Sequence, residues 1–210
     1  MKNTTNRFIQ AGSLLLGSAF MMSPVMAHHA MDGKLASTAV EGLMSGLAHP
    51  VIGLDHLAFI VALGCSGALV ARSNAAGKLM PIGFLGAALL GTMIHLQSID
   101  LPFNELWVAL SVLLLGMVVG LGQKLPIAGL AALVTIAGLF HGYAYGESIV
   151  GAGMTPLVSY LVGFTAIQAA ISYGAYFVAT KFAGDSAWVK AMGFITAGIG
   201  ISAVLGAIGG

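Results

Sequence analysis

His49-Pro50-Val51-Ile52-Gly53-Leu54-Asp55-His56 runs straight into Leu57-Ala-Phe-Ile-Val-Ala-Leu-Gly-Cys-Ser-Gly-Ala-Leu-Val-Ala71, and this junction decides the fold. The stretch after His56 carries no charge, and with its flanks it approaches the ~20 apolar residues that cross a bilayer. The whole chain has 8 Lys and Arg and 7 Asp and Glu in 210 residues, is 58% hydrophobic and contains 30 glycines. That composition suits a polytopic bundle of membrane helices and not a soluble domain. Two imidazoles and a carboxylate at the mouth of such a run are costly beside lipid unless they bind something or line water.

Charge and cysteine narrow the classes further. A formal net charge of +1 leaves no basic stripe for nucleic acid. The single Cys65 lies inside an apolar run, so no disulfide framework within the chain is possible. At the N-terminus, Lys2 and Arg7 precede the apolar stretch Phe8 to Met22, and Pro24 precedes Val25-Met26-Ala27. These features predict a signal peptide over residues 1–27, cleaved after Ala27, with an uncleaved first anchor as the alternative. The mature chain, 28–210, then begins His28-His29.

Six mature spans are expected, at 54–72, 79–97, 104–122, 125–142, 155–180 and 187–207. Leu35 to Ala48 is weakly amphipathic and too short to cross. It is read as an external interfacial or re-entrant segment, residues 35–50, ending at His49-Pro50 because proline disfavours helical geometry in the residue before it. The expected fold class is all-α: a polytopic membrane helical bundle with six transmembrane helices after a cleaved signal peptide. Pairs such as Gly83/Ala87, Gly116/Gly120 and Gly138/Gly142 are expected to mark close helix packing.

Arg72 and Lys78, Lys124, and Lys181 and Lys190 fall on alternate loops, against Lys34 alone on the other side. The positive-inside rule makes those loops cytoplasmic and puts both mature termini on the periplasmic or external face of a bacterial inner membrane. All six histidines then fall on the external side: His28, His29, His49, His56, His95 and His141. Asp32, Glu41, Asp55, Asp100, Glu105 and Glu147 join them, and Asp185 alone is inside. The basic bias is general to membrane proteins, but nothing requires histidine to follow it.

Neutral imidazole binds nickel, copper, cobalt and zinc, and a carboxylate can complete such a site. In the first motif Pro50 and Gly53 let the backbone bend, so His49 can reach toward Asp55 and His56. The competing reading makes Asp55 a helix cap and the histidines interfacial polar tips. The second cluster is Phe140-His141-Gly142-Tyr143-Ala144-Tyr145-Gly146-Glu147-Ser148. There His141 is expected to end the fourth span, with Gly142 and Gly146 turning the chain over the outer mouth. In the fifth span Thr165, Gln168, Ser172 and Tyr176 share a helical face, either walling a route inward or bonding helix to helix.

The first motif, the stretch Glu105 to Gly116 (ELWVALSVLLLG) and FHGYAYGES together resemble the HupE/UreJ family of membrane proteins. The resemblance covers essentially the whole mature chain, and it implies a nickel or cobalt permease associated with hydrogenase or urease. It also implies metal ligands. The family's His-x5-Asp-His is matched by His49, Asp55 and His56. Its His-Gly-x-Ala-His-Gly-x-Glu is matched by His141 and Glu147, with Tyr145 in place of the second histidine. His95, Glu105, Gln168 and the tail residues His28 and His29 are further candidates for the site or the route.

The expected function is import of a divalent transition-metal ion, nickel or cobalt, through an external His, Asp and Glu site. The ion is cargo, and no prosthetic group is expected. No enzymatic activity is expected either, and the absence of a GxxxxGK[ST] loop leaves no nucleotide partner. The partners are the lipid bilayer and the metal ion; the sequence sets no oligomeric state. The rival is a membrane metal-binding or chaperone protein that holds metal without moving it. A remote alternative is an intramembrane protease, because Gly64-Cys65-Ser66-Gly67 resembles the GxSG of rhomboids. Ser66 lies about 15 Å below His56 at helical rise, too deep for contact with a histidine at the rim.

Overall fold

The computed structural model describes residues 34–71, 76–123, 125–181 and 187–209. The expected signal peptide, His28, His29 and the loop charges Arg72, Lys124 and Asp185 lie outside the described residues. Every regular element among the described residues is a helix: α1 Ala39–Ile52, α2 Leu54–Ala71, α3 Ala76–Leu96, α4 Asn104–Leu121, α5 Ile127–Gly146, α6 Met154–Lys181 and α7 Ala187–Gly209. Helix is what an unbroken apolar chain adopts in lipid, since each backbone group finds its partner within the segment. α3 to α7 are each long and apolar enough to span, and α1 with α2 makes a sixth candidate if that bent pair is one span.

Two expected boundaries are corrected. The first helix does not end at His49-Pro50 but passes through Pro50 to Ile52, and the chain breaks at Gly53, bending 78° into α2. Proline removes only its own N–H, and the His49 carbonyl still accepts from Gly53 N–H at 3.2 Å. A capping box starts this helix: Thr38 Oγ1 accepts from Glu41 N–H, and Glu41 Oε2 accepts from Ser37 and Thr38 N–H. Glu41 is thereby committed to the cap. The second correction concerns the fourth expected span, which continues past Gly142 to Gly146. His141 is therefore inside α5 and not at its end. Gly142 allows close packing there instead of a turn, because a Cβ on it would strike the Ala88 backbone of α3.

α2 is the hub of the bundle and touches every other helix. Phe59, Ile60, Ala62, Leu63, Cys65 and Ala68 are all buried, so the helix is apolar nearly all round and is enclosed accordingly. The surrounding helices pack in pairs: α1 on α6, α3 on α5, and α4 on α7. Small residues set each pair. A Cβ on Gly46 would meet the Tyr160 backbone, one on Gly138 the Phe84 backbone, and one on Gly116 or Gly193 the facing backbone of α7 or α4. Without a hydrophobic drive between helices in lipid, such backbone approach supplies much of the association. Gly83 behaves otherwise. It is exposed with open space around it, and only Ala87 of that expected pair packs inward, against Gly138.

On α6 the buried stripe is Pro156, Tyr160, Phe164, Gln168, Ser172 and Tyr176, four residues apart. Gln168, Ser172 and Tyr176 thus share a face as expected, while Thr165 sits beside the stripe, half-buried. Gln168 Nε2 donates to the Phe164 carbonyl at 3.0 Å and Ser172 Oγ to the Gln168 carbonyl at 2.7 Å. These protons return to α6 itself, so the reading of helix-to-helix bonds gains nothing from them.

Replacing Gly193 by Leu is expected to force α4 and α7 apart and destabilise the protein by about 1–3 kcal/mol or more. Gly83→Leu should be neutral. Thermal unfolding in detergent checks the pair, and equal midpoints for the two variants would refute the packing account.

Candidate metal centre

The bend at Gly53 carries α1 and α2 to the end of the bundle where α5 finishes. It thereby brings together side chains far apart in sequence. His49, His56 and His141 are 5%, 2% and 0% exposed, deeper than rim residues would be. His56 and His141 meet directly, Nδ1 to Nδ1 at 2.9 Å. The His49 ring stands 6.0 Å from that of His56 between centroids. Gly53 makes room for the arrangement: a Cβ there would lie 2.7 Å from His56 Cδ2 and 3.2 Å from Asp55 Oδ1.

Two of the three histidines have hydroxyl support. His141 Nε2 is 2.9 Å from Ser111 Oγ, and that hydroxyl donates to the Val108 carbonyl at 2.7 Å. His49 Nδ1 is 2.6 Å from Ser148 Oγ and 3.4 Å from the Tyr160 hydroxyl, which itself donates to the Tyr145 carbonyl at 2.8 Å. Tyr145 fills the centre of the cluster, with its ring 4.6 Å from His56, 5.2 Å from His49 and 6.5 Å from His141. It is completely buried, and its hydroxyl has no hydrogen-bond partner among the described residues. An oxygen left so in an apolar interior costs about 1–3 kcal/mol. Below the cluster Phe59 and Phe84 stack at 5.2 Å and both touch the His141 ring.

The acidic candidates sit differently. Asp55 is half-buried, and its Oδ1 accepts from His56 N–H at 2.9 Å, a bond to the first turn of α2. It is an acidic group in the first turn of α2, beside His56. Glu147 and Glu105 are both exposed. His95 is half-buried, its ring 4.4 Å from that of Tyr143 and tilted to it, and the Tyr143 hydroxyl accepts from Leu101 N–H and donates to Asp100. This makes a neighbouring group at the same end, and His95 Nδ1 is buried there without a partner. Gln168 is fully buried, and its Oε1 likewise lacks a partner. Among the described residues no three His, Cys, Asp or Glu side chains form a ready metal-holding group.

Ser66 takes no part. Its hydroxyl donates to the Leu63 carbonyl of its own helix at 2.8 Å. The serine in contact with His141 is Ser111, and its hydroxyl donates to the Val108 carbonyl. A nucleophilic serine needs the opposite arrangement. Ser111, Ser148 and Tyr160 were not singled out from the sequence. Ser111 is a lone hydroxyl in an otherwise apolar span and Ser148 closes the second cluster, while Tyr160 carries no local signal.

The family model described as HupE / UreJ protein matches residues 15–203. Protein HupE of Rhizobium leguminosarum bv. viciae is 33% identical over 129 residues, which is 60% of this chain and 64% of that relative's length. No solved structure matches. With the family model matching residues 15–203, nearly the whole of the chain, this protein belongs to the HupE/UreJ family.

Proposed function

We propose that the protein is a permease that admits a divalent transition-metal ion, nickel or cobalt, at the external face of the bacterial inner membrane. Membership in a family tied to hydrogenase and urease nickel supply supports a nickel role. The observation that carries the reading is the His56–His141 pair. Two imidazole nitrogens bound side by side at about 2.0–2.1 Å from one ion lie about 2.9 Å apart when the bonds meet at a right angle. The two Nδ1 atoms already stand 2.9 Å apart. Right-angled nitrogen sites suit nickel. The ion replaces the shared proton, and His56 stays neutral by carrying its hydrogen on Nε2.

Further ligands come from movement or from the rim. His49 is the nearest third imidazole, and a small rotation of α1 about Gly53 brings it closer. Asp55 supplies negative charge at the entrance. Tyr145 offers an oxygen where the family motif has a histidine. Past the pair, the unpartnered Gln168 Oε1 is the next oxygen inward on α6. No external energy source is needed in principle. A divalent cation moving inward through 100 mV gains ~4.6 kcal/mol, roughly three decades of accumulation.

The second reading, a membrane protein that binds metal without moving it, draws on the stacked Phe59 and Phe84 that floor the site. Uptake of radiolabelled nickel and cobalt separates the two. Cells expressing the wild type should accumulate metal, and His56→Ala should fall to the vector level. Equal uptake by both, above vector, would remove the pair from the mechanism. Metal bound by purified wild type without any uptake would favour the second reading.

Two substitutions probe the rest of the site. Gln168→Leu should lower uptake several-fold, about 2–10 fold for one lost ligand oxygen, while equilibrium nickel binding by purified protein stays as in wild type. Tyr145→His adds an imidazole and should tighten nickel binding about tenfold. An unchanged metal preference would show that position 145 contributes no ligand.

A further inference from the structure

The hydroxyl of Ser111 has one proton, and the Val108 carbonyl takes it at 2.7 Å. Toward His141 Nε2, 2.9 Å away, the oxygen has only lone pairs to offer. That nitrogen must therefore carry the hydrogen of the contact. A neutral His141 with its proton on Nε2 has its lone pair on Nδ1, facing His56 Nδ1 at 2.9 Å. The proton between the two rings then belongs to His56. A backbone carbonyl of α4 thus sets the direction of the whole series, from Val108 through Ser111 and His141 to His56.

We propose that Ser111 is a positioning residue of the metal site. It holds His141 in the Nε2–H tautomer, so that the Nδ1 lone pair is turned to the place where the ion binds. The inference rests on the reading of the His56–His141 pair as that place. Histidines that bind metal through one ring nitrogen almost always donate the other N–H to an acceptor, and the acceptor fixes tautomer and ring orientation. Ser111 is that acceptor here. Its neighbours on the buried face of α4 are Val108, Ala109, Val112 and Leu115, none of which has a side-chain acceptor.

Consider the same bundle with alanine at 111. A buried Nε2–H on His141 would face apolar side chains, so the proton moves to Nδ1 and the ring donates to His56 instead. The two rings remain bonded and the packing against Phe59 and Phe84 is kept. The lone pair now points at α4, however, and the nitrogen facing His56 is no longer a ligand. Binding requires the tautomer to be reversed with an N–H left unpartnered. The fold survives and the ligand is lost, which separates positioning from structural support.

The test reads the tautomer directly. Nitrogen-15 spectra of histidine-labelled protein in lipid nanodiscs, without metal, are recorded for wild type, Ser111→Ala and Ser111→Cys, with His141 assigned by its loss in His141→Gln. Wild type should show His141 protonated at Nε2 and bare at Nδ1. Ser111→Ala should invert this pattern, and purified Ser111→Ala should bind nickel about 10–100-fold more weakly with an unfolding midpoint near that of wild type. Ser111→Cys, whose sulfur still accepts weakly, should recover part of the affinity. A proton on Nδ1 of wild-type His141, or wild-type nickel affinity in Ser111→Ala, overturns the proposal. If His141 has the expected tautomer but wild type binds neither nickel nor cobalt, the reading of the pair as a metal site falls, and the role of Ser111 with it.

Discussion

The structure turns on one constraint: polar groups placed inside an apolar bundle have no water to bond and must find each other. The His56–His141 contact is where that constraint is tightest. Both rings are buried, and both lie among the aromatic side chains of α2, α3 and α5. Their mutual bond, with Ser111 behind one ring, satisfies them without a fixed charge. A neutral imidazole pair is tolerable in such surroundings, whereas an ionised carboxylate is not. This explains why the histidines lie deep while Glu105 and Glu147 remain exposed.

That arrangement depends in turn on how closely the helices approach. Glycines at 42, 46, 64, 91, 142 and 193 let one backbone lie on another. They seat α2 on α6 and α5 on α3, and within that frame the side chains of His56 and His141 meet. The bend at Gly53 adds the remaining element, since a straight continuation of α1 would carry His49 away from His56. Small residues thus govern the chemistry indirectly, by fixing the separation of the helices that present the ligands.

Much was legible in advance. The apolar runs located the helices to within a few residues, because lipid leaves the backbone no other way to satisfy itself. The residue types and motif spacing also pointed to His49, Asp55, His56 and His141. Two features misled. Proline at 50 suggests a helix end, although it deletes only one hydrogen bond and α1, packed on α6, continues through it. Glycine at 142 was read as a turn, although in a membrane helix it more often marks close contact. Gly83 shows the limit of such patterns, since the same spacing there faces open space.

The sequence by itself determined an all-helical membrane chain, the rough extent of its helices and which residues have metal-binding chemistry. Those depend on local composition and on the period of the backbone, both of which are written in order along the chain. Only the tertiary structure decided that His56 pairs with His141 and not with His49, that Tyr145 fills the centre, and that Ser111 stands against His141. These partners are 85, 89 and 30 residues apart from the ring each serves. Contacts at such range arise from which helix faces meet, and that is set by the packing of the whole bundle and by no single segment.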